Sequence, residues 1–239
     1  MPAMSAPLAF VTCANEPAVL QQRLLASPCL AQGKYPLDVY FDAPSAAWAF
    51  NRSMEHGPAC AWRVWVHQDV FLPAGWDVAF LQGLSQAEDS FPRAGVAGVY
   101  GIAGHGRDAR RAGHILDRGE ALREPTPLPC TVDSLDELLF AARADTGLRL
   151  DPALQFDFYA TDLVLSAQAA GWQAVVVDAY CEHWSGTPRK VPFDPASIQR
   201  IVGSAAVFER KWAQRLPIET SCFAITRPGD VQRFIQLIS

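Results

Sequence analysis

The sequence lacks a long apolar run, because no stretch approaches the roughly 20 consecutive apolar residues that a membrane-spanning helix needs. It also lacks an excess of positive charge: 20 Lys and Arg residues against 25 Asp and Glu residues give a formal net charge of −5. Nucleic-acid binders concentrate Lys and Arg to neutralise phosphates, so this balance argues against that class. The first ten residues have neither the basic segment nor the continuous apolar segment of a signal peptide. We therefore expect a soluble, cytoplasmic protein.

Closely spaced cysteines are also missing, since none of the six forms a C-x-x-C pair. That spacing speaks against a zinc knuckle or a redox pair, and it predicts mostly buried free thiols. Half of the 239 residues are hydrophobic. A chain of this length can bury one large α/β core or two small ones.

The most informative stretch is Trp62–Trp76, in which an apolar strand ends in a polar cluster. Its first five residues are aromatic or β-branched apart from one arginine, which is typical of a buried strand. His67, Gln68 and Asp69 follow directly. Ligands of open α/β sheets bind at the carboxyl ends of strands, so His67 and Asp69 are the first candidates for chemistry. A turn or cap role for Asp69 fits the same pattern.

Two earlier segments repeat this arrangement of a strand that ends in a polar residue. A strand at Leu8–Thr12 is followed by Asn15, and a strand at Asp38–Phe41 is followed by Asp42. Helical segments separate the three strands, so parallel pairing with crossover helices is the economical interpretation. Asn15, Asp42 and Asp69 would then lie on one edge of the sheet, as in a nucleotide-binding half-domain.

A glycine-rich segment at Gly104–Ala109 matches the pattern G-x-G-x-x-A of dinucleotide-binding proteins. That pattern requires an amphipathic helix opening at the glycines, whereas the residues that follow are polar and rich in arginine. We interpret the segment as a loop. Residues 130–133 and 137–143 are predicted to form a strand pair.

Two further candidates lie in the second half of the chain. Asp157 is a plausible N-cap for a helix running to Ala170, and this would place Asp162 within its first turns. There the helix dipole favours a carboxylate, either on the surface or partly covered by its apolar neighbours. His183 follows the predicted strand Trp172–Val177 and fits a structural role or a ligand role.

Together these segments resemble the nucleotide-sugar glycosyltransferases of GT-A fold, specifically the family 2-like group with a streptomycin-biosynthesis transferase-type domain. The resemblance spans about residues 8 to 213. It rests on five segments in chain order: His67-Gln68-Asp69-Val70, Gly95-Val96-Ala97-Gly98, Tyr159-Ala160-Thr161-Asp162-Leu163, His183, and Lys211-Trp212.

The resemblance implies a three-layer α/β sandwich with a mostly parallel central sheet, residues 1–213 forming the domain and residues 214–239 packed on it. It implies Asp69 and His183 as ligands of Mn²⁺ or Mg²⁺, and Asp162 as the general base of an inverting transfer. Asn15, Asp42, His67 and Asp69 would bind the nucleotide-sugar donor. The acceptor would be a sugar, a lipid-linked sugar or a small molecule.

The sequence departs from this family at two positions. His67 replaces the first acid of the D-x-D motif, and Thr161 replaces the acid that commonly precedes Asp162. A GT-A-like domain that binds a nucleotide or sugar with little or no turnover is therefore an alternative. A metal hydrolase built on His67, Asp69 and His183 is a weaker one.

Overall fold

The computed structural model describes residues 6–185 and 194–238. The strands are β1 (Ala6–Ala14), β2 (Leu37–Phe41), β3 (Cys60–Val66), β4 (Val70–Phe71), β5 (Ala94–Gly98), β6 (Tyr100–Ala103), β7 (Arg110–Asp117), β8 (Glu120–Arg123), β9 (Cys130–Thr131), β10 (Ser134–Leu135), β11 (Leu139–Arg143), β12 (Gln173–Val176), β13 (Cys181–His183), β14 (Ile218–Glu219) and β15 (Ala224–Ile225).

The helices are α1 (Pro17–Gln22), α2 (Pro28–Ala31), α3 (Ala46–His56), α4 (Trp76–Ser90), α5 (Tyr159–Ala169), α6 (Pro195–Lys211) and α7 (Asp230–Ile238). Short 3₁₀ turns lie at Leu24–Ala26, Gly106–Asp108, Ala144–Thr146 and Ala213–Arg215. The Ser45 side chain caps α3, since it accepts a hydrogen bond from the Trp48 amide.

A seven-stranded sheet in the order β2-β1-β3-β11-β5-β12-β9 forms the centre of the fold. The pairs β1/β2, β1/β3 and β5/β12 are parallel, whereas β11 runs antiparallel to β3 and β5, and β9 antiparallel to β12. Five of the seven strands therefore run in the same direction, with β11 and β9 opposed to them, which confirms the predicted mostly parallel sheet. A second sheet has the order β10-β6-β7-β13-β4, with β8 paired to β7.

Alternation along the strands explains why helices cover both faces of the central sheet. In β3, Trp62, Val64 and Val66 belong to one apolar cluster, which also contains buried residues of α1 and α4. Trp65 faces the opposite cluster, which contains residues of α3 and α5. Side chains of a strand point alternately to opposite faces, so one segment serves both cores and the fold has three layers.

The last described segment, residues 213–238, packs on the same core as α5 and α6. Buried apolar residues of α6, β14, β15 and α7 form one cluster with Leu154, Phe158 and Leu165. This cluster attaches the C-terminal residues to the domain, while the predicted division at residue 213 stays a prediction.

Two local predictions are wrong. Residues 130–133 and 137–143 do not pair with each other, because β9 pairs with β12 and β11 lies between β3 and β5. Asp157 is not the N-cap of α5, since Phe158 holds that position with a positive φ of 66°. The carboxylate of Asp157 is bound instead by Arg200, whose Nε lies 2.9 Å from Oδ2. A long-range ion pair has replaced the local cap.

Candidate metal and nucleotide site

The three predicted polar ends of β1, β2 and β3 meet at one edge of the central sheet. There Asn15, Asp42, His67 and Asp69 line a cavity of about 440 Å³. Gln68 joins the loops, because its Oε1 accepts the amides of Asn15 and Glu16 at 3.1 Å and its Nε2 donates to Asn15 Oδ1 at 2.5 Å. The loops after β1 and β3 are thus held in a fixed relation.

Beside this cavity, His67, Asp69 and His183 form a cluster of metal-ligand type. One ligand atom from each lies within 4.8 Å of the others. His183 Nε2 is 3.4 Å from Asp69 Oδ1, and the two imidazole rings lie 5.6 Å apart between centroids. The backbone fixes this approach, since β13 pairs with β4 and the Trp184 amide donates to Asp69 O at 2.9 Å. Residues far apart in sequence therefore converge.

Each imidazole has a second partner that orients it. His183 Nδ1 lies 2.9 Å from Oδ1 of Asp117, the residue opposite it in the β7/β13 register. His67 Nε2 lies 2.8 Å from the Tyr159 hydroxyl. Metal-binding histidines commonly donate their other ring N–H to a carboxylate or carbonyl, which fixes the tautomer and the ring orientation. His183 thus presents Nε2 to Asp69, and the Tyr159 contact leaves Nδ1 as the second ring nitrogen of His67.

The electrostatics of the cluster follow from these contacts. Burial lowers the pKa of His183, but the hydrogen bonds to Asp117 and Asp69 outweigh it and raise the pKa to about 10. Burial raises the pKa of Asp69, yet the His183 hydrogen bond and the nearby imidazole charges hold it at about 2. For His67, burial lowers the pKa, and the Asp69 charge offsets only part of that shift. The contacts of His183 thus favour its protonated form between two carboxylates, whereas burial favours the neutral form of His67.

These residues fit a divalent cation. Two imidazole nitrogens and one carboxylate oxygen form a borderline donor set that suits Mn²⁺ better than Ca²⁺, which prefers six to eight oxygen ligands. The ligand atoms are close enough to share one ion, and Asp117 supplies the outer carboxylate that such sites use. His67, Asp69 and His183 would hold the ion.

Asp162 lies elsewhere. Its carboxylate accepts hydrogen bonds from Lys211 Nζ at 3.0 Å and Trp212 Nε1 at 2.8 Å, and Lys211 is shared with Asp151. The residue is fully buried, and it is not among the described residues that line the cavity. The structure does not bring Asp162 to the metal cluster, and its predicted role as a base gains no support from this position.

Three residues of the site escape sequence reasoning. Asp117 ends β7, and the strand pairing that brings it to His183 is not local. Arg200 lines the cavity from the middle of α6, where the sequence pattern shows only an amphipathic helix. The resemblance assigns Tyr159 no role of its own. Its place three residues before Asp162, in a segment that carries the resemblance, was the available signal.

Comparison with solved structures gives the fold. The mannosyltransferase PcManGT from Pyrobaculum calidifontis, solved in complex with GDP-Man and Mn²⁺, superposes with a TM-score of 0.51 at 10% identity. The match covers 98% of this chain and 70% of that one. GalNAc-T7, solved with UDP, GalNAc and Mn²⁺, matches at a TM-score of 0.53 and 12% identity over 90% of this chain and 52% of that chain.

Comparison at the sequence level adds less. No family model matches the sequence. A Fuscovulum blasticum protein named ATP synthase subunits region ORF 6 is 33% identical over 138 residues, and the match spans about half of each chain, 53% in both cases.

None of the described helices is long and apolar enough to cross a membrane, and all six cysteines are unpaired. The structural matches establish the fold: this chain has the GT-A glycosyltransferase fold.

Proposed function

We propose that this chain is a metal-dependent glycosyltransferase that moves a sugar from a nucleotide-diphosphate sugar to a hydroxyl acceptor. One observation carries the proposal: the His67, Asp69 and His183 cluster stands beside a cavity lined by the ends of β1, β2 and β3. The GT-A fold supports it, since structures of that fold hold GDP-Man or UDP together with Mn²⁺. We also propose membership in the family 2-like, streptomycin-biosynthesis transferase-type group, on the segments that resemble it. The cytoplasmic location stays a prediction.

The chain's own residues would share the work of this transfer. A divalent ion held by His67, Asp69 and His183 would stabilise the negative charge that develops on the leaving diphosphate. Asn15 and Asp42, on the loops after β1 and β2, would contact the nucleoside. Gln68 joins the loop after β1 to the loop after β3, and the Asp42 amide donates to Ala14 O at 3.0 Å. The donor would therefore bind to a site whose geometry is set before it arrives.

Inversion at the anomeric carbon is implied by the resemblance alone. The resemblance implies inversion with Asp162 as base, whereas Asp162 is buried between Lys211 and Trp212. We retain inversion as a prediction and expect the anomeric configuration of the product, read by NMR, to decide it.

Donor binding and turnover test the proposal. The protein is mixed with Mn²⁺ and UDP-, GDP- or dTDP-sugars, and the melting temperature and the release of free nucleoside diphosphate are measured. A ligand at 100 times its Kd stabilises the native state by about 2.7 kcal/mol, so binding raises the melting temperature. We expect a shift with at least one donor and its loss in Asp69→Asn. Asp145→Asn, which alters an exposed carboxylate paired with Arg143, is the matched control.

A second function is favoured by the position of Asp162 and by the histidine at position 67. A GT-A domain without a base in its cavity would bind the donor and Mn²⁺ without releasing nucleoside diphosphate. A thermal shift with no release across a panel of hydroxyl acceptors would favour this binding domain. A shift absent from every donor would refute both functions.

A further inference from the structure

We propose that Arg200 binds the diphosphate of the donor and is the protein's own cationic contribution to that subsite. This inference rests on the proposed function, because it assigns a residue to the ligand of that site. Arg200 lines the same cavity as Asp42 and Asp69, although it belongs to α6 and the other two lie on the sheet edge.

The orientation of Arg200 is fixed before any ligand binds. Its Nε and one terminal nitrogen contact the two carboxylate oxygens of Asp157 at 2.9 and 3.3 Å. This pairing uses two of the five N–H donors of a guanidinium. The side chain remains 36% exposed, whereas that of Asp157 is 15% exposed. An arginine held by one edge and open at the other can bind a phosphate with little loss of conformational entropy.

Charge complementarity gives the reason for an arginine at this position. A donor diphosphate carries two negative charges, and the described residues around the cavity include the carboxylates of Asp42 and Asp69. A bound divalent ion would offset part of this negative charge, and Arg200 is the one strong cation among the described residues that line the cavity. Arginine matches phosphate oxygens in a two-point geometry that lysine cannot reproduce. Without Arg200, the bound ion alone would bring strong positive charge to the phosphates from the described part of the cavity.

A purely structural role is the competing interpretation. The Arg200 and Asp157 pair joins α6 to the segment before α5, and a pair of that kind could serve the fold alone. The two roles differ in what they do to ligands. A structural pair affects binding of a whole nucleotide through the shape of the cavity, whereas a phosphate contact affects only ligands that carry phosphate.

The experiment compares a nucleoside diphosphate with the nucleoside that carries the same base. Affinities of UDP, GDP and dTDP with Mn²⁺, and of uridine, guanosine and thymidine, are measured by calorimetry for wild type, Arg200→Met and Arg200→Lys. Charge-assisted hydrogen bonds are strong, so we expect Arg200→Met to weaken the preferred diphosphate by about tenfold to a hundredfold. The affinity of Arg200→Met for the matching nucleoside should stay within about twofold of the wild-type affinity, because the shape of the cavity is kept. Arg200→Lys should recover part of the loss.

Arg215→Met is the matched control, because Arg215 contacts Gln168 and is not among the described residues that line the cavity. Circular dichroism confirms that each variant is folded at the temperature of the titration. Equal losses for diphosphate and nucleoside, or no loss at all, would overturn the assignment of Arg200 and leave the proposed function intact. If the wild type binds none of the three diphosphates, the proposed function fails as well.

Discussion

Replacing Asp162 by asparagine separates the base predicted from the sequence from the ion pair observed in the structure. The substitution preserves shape and removes only the charge. Asp162 Oδ1 accepts from Trp212 Nε1 and its carboxylate is paired with Lys211, whose ammonium also contacts Asp151 at 2.7 Å. Asparagine keeps an oxygen for Trp212, so one charge-assisted hydrogen bond is lost and Lys211 retains a second acid.

The expected magnitude follows from these contacts. A hydrogen bond to a charged group contributes about 1.5 to 3 kcal/mol. Burial raises the pKa of Asp162 despite the hydrogen bonds from Lys211 and Trp212, so removing its charge also relieves a desolvation cost. We expect Asp162→Asn to lower the free energy of unfolding by about 1 to 2 kcal/mol. For a chain of this size, the melting temperature falls by about 2 to 8 °C.

Turnover gives the contrast. If Asp162 is the general base, Asp162→Asn should lower the rate by a factor of about 10² to 10⁴. If Asp162 only forms a buried ion pair away from the cavity, the folded variant should keep a kcat within about threefold of wild type. Release of nucleoside diphosphate is measured well below both melting temperatures. The double variant Asp162→Asn/Lys211→Met should show non-additive stability, as contacting residues do. An unchanged melting temperature together with a hundredfold loss of turnover would refute the structural role and restore the base.

Three other perturbations test the site and its surroundings. Asp117→Ala should weaken Mn²⁺ binding by about tenfold to a hundredfold in calorimetry, since it frees the His183 ring, whereas Asp117→Asn, which keeps an acceptor for Nδ1, should lose less. The raised pKa of His183, about 10, predicts that Mn²⁺ binding at pH 7 releases a proton and that the affinity for Mn²⁺ increases as the pH rises. Calorimetric titrations in buffers of different ionisation enthalpy measure this proton release. Its absence would contradict a proton on His183 between Asp69 and Asp117. Burial and the charges of Asp157 and Asp136 raise the pKa of Glu137 well above its ordinary value. The contribution of Glu137 to the free energy of unfolding is therefore fully present below its pKa in the unfolded chain. It is lost as the pH rises through its pKa in the folded protein. Glu137→Gln should therefore raise the melting temperature at pH 8 more than at pH 4, and equal shifts would contradict the buried acid.

Strand positions and the polar sheet edge were predictable because their signals are local. Apolar alternation in β1 and β3 and a polar residue after each strand suffice to place Asn15, Asp42 and Asp69 together. The approach of His183 to Asp69 was predicted only through the resemblance, since a histidine after a strand fits several roles. Here the resemblance added information that residue patterns alone did not contain.

The wrong predictions concern residues whose partners are distant in the chain. Asp157 has the composition of an N-cap, but Arg200 on α6 offers it a two-point ion pair, and Phe158 takes the cap position instead. The position of Asp162 early in α5 was predicted, whereas its burial against Lys211 and Trp212 depends on how α6 packs. A helix dipole or a cap preference contributes about 1 kcal/mol. Tertiary ion pairs are of similar strength, so cap and dipole preferences alone do not decide whether a carboxylate caps its own helix or pairs with a distant residue.

The histidine at position 67 has a consequence for how metal and donor depend on each other. With both imidazoles neutral, His67, Asp69 and His183 bring one negative charge to a divalent ion, whereas a second carboxylate at position 67 would cancel both positive charges. His67 Nε2 is occupied by Tyr159, so only Nδ1 is free to bind. One positive charge would remain on the bound ion, and a nucleoside diphosphate would neutralise it. We therefore expect Mn²⁺ and UDP or GDP to strengthen each other's binding by the same factor, about five- to 150-fold.

Calorimetric titration of Mn²⁺ with and without the preferred diphosphate measures this coupling, after correction for the affinity of the free nucleotide for Mn²⁺. The variant His67→Asp should bind Mn²⁺ alone more tightly, because the added carboxylate brings a second negative charge, and should show weaker coupling. Equal Mn²⁺ affinity with and without diphosphate in the wild-type protein would contradict the charge argument. In that case the cavity and the metal cluster would be energetically independent, although they share His67 and Asp69, and the transfer would need another way to bring positive charge to the leaving phosphate.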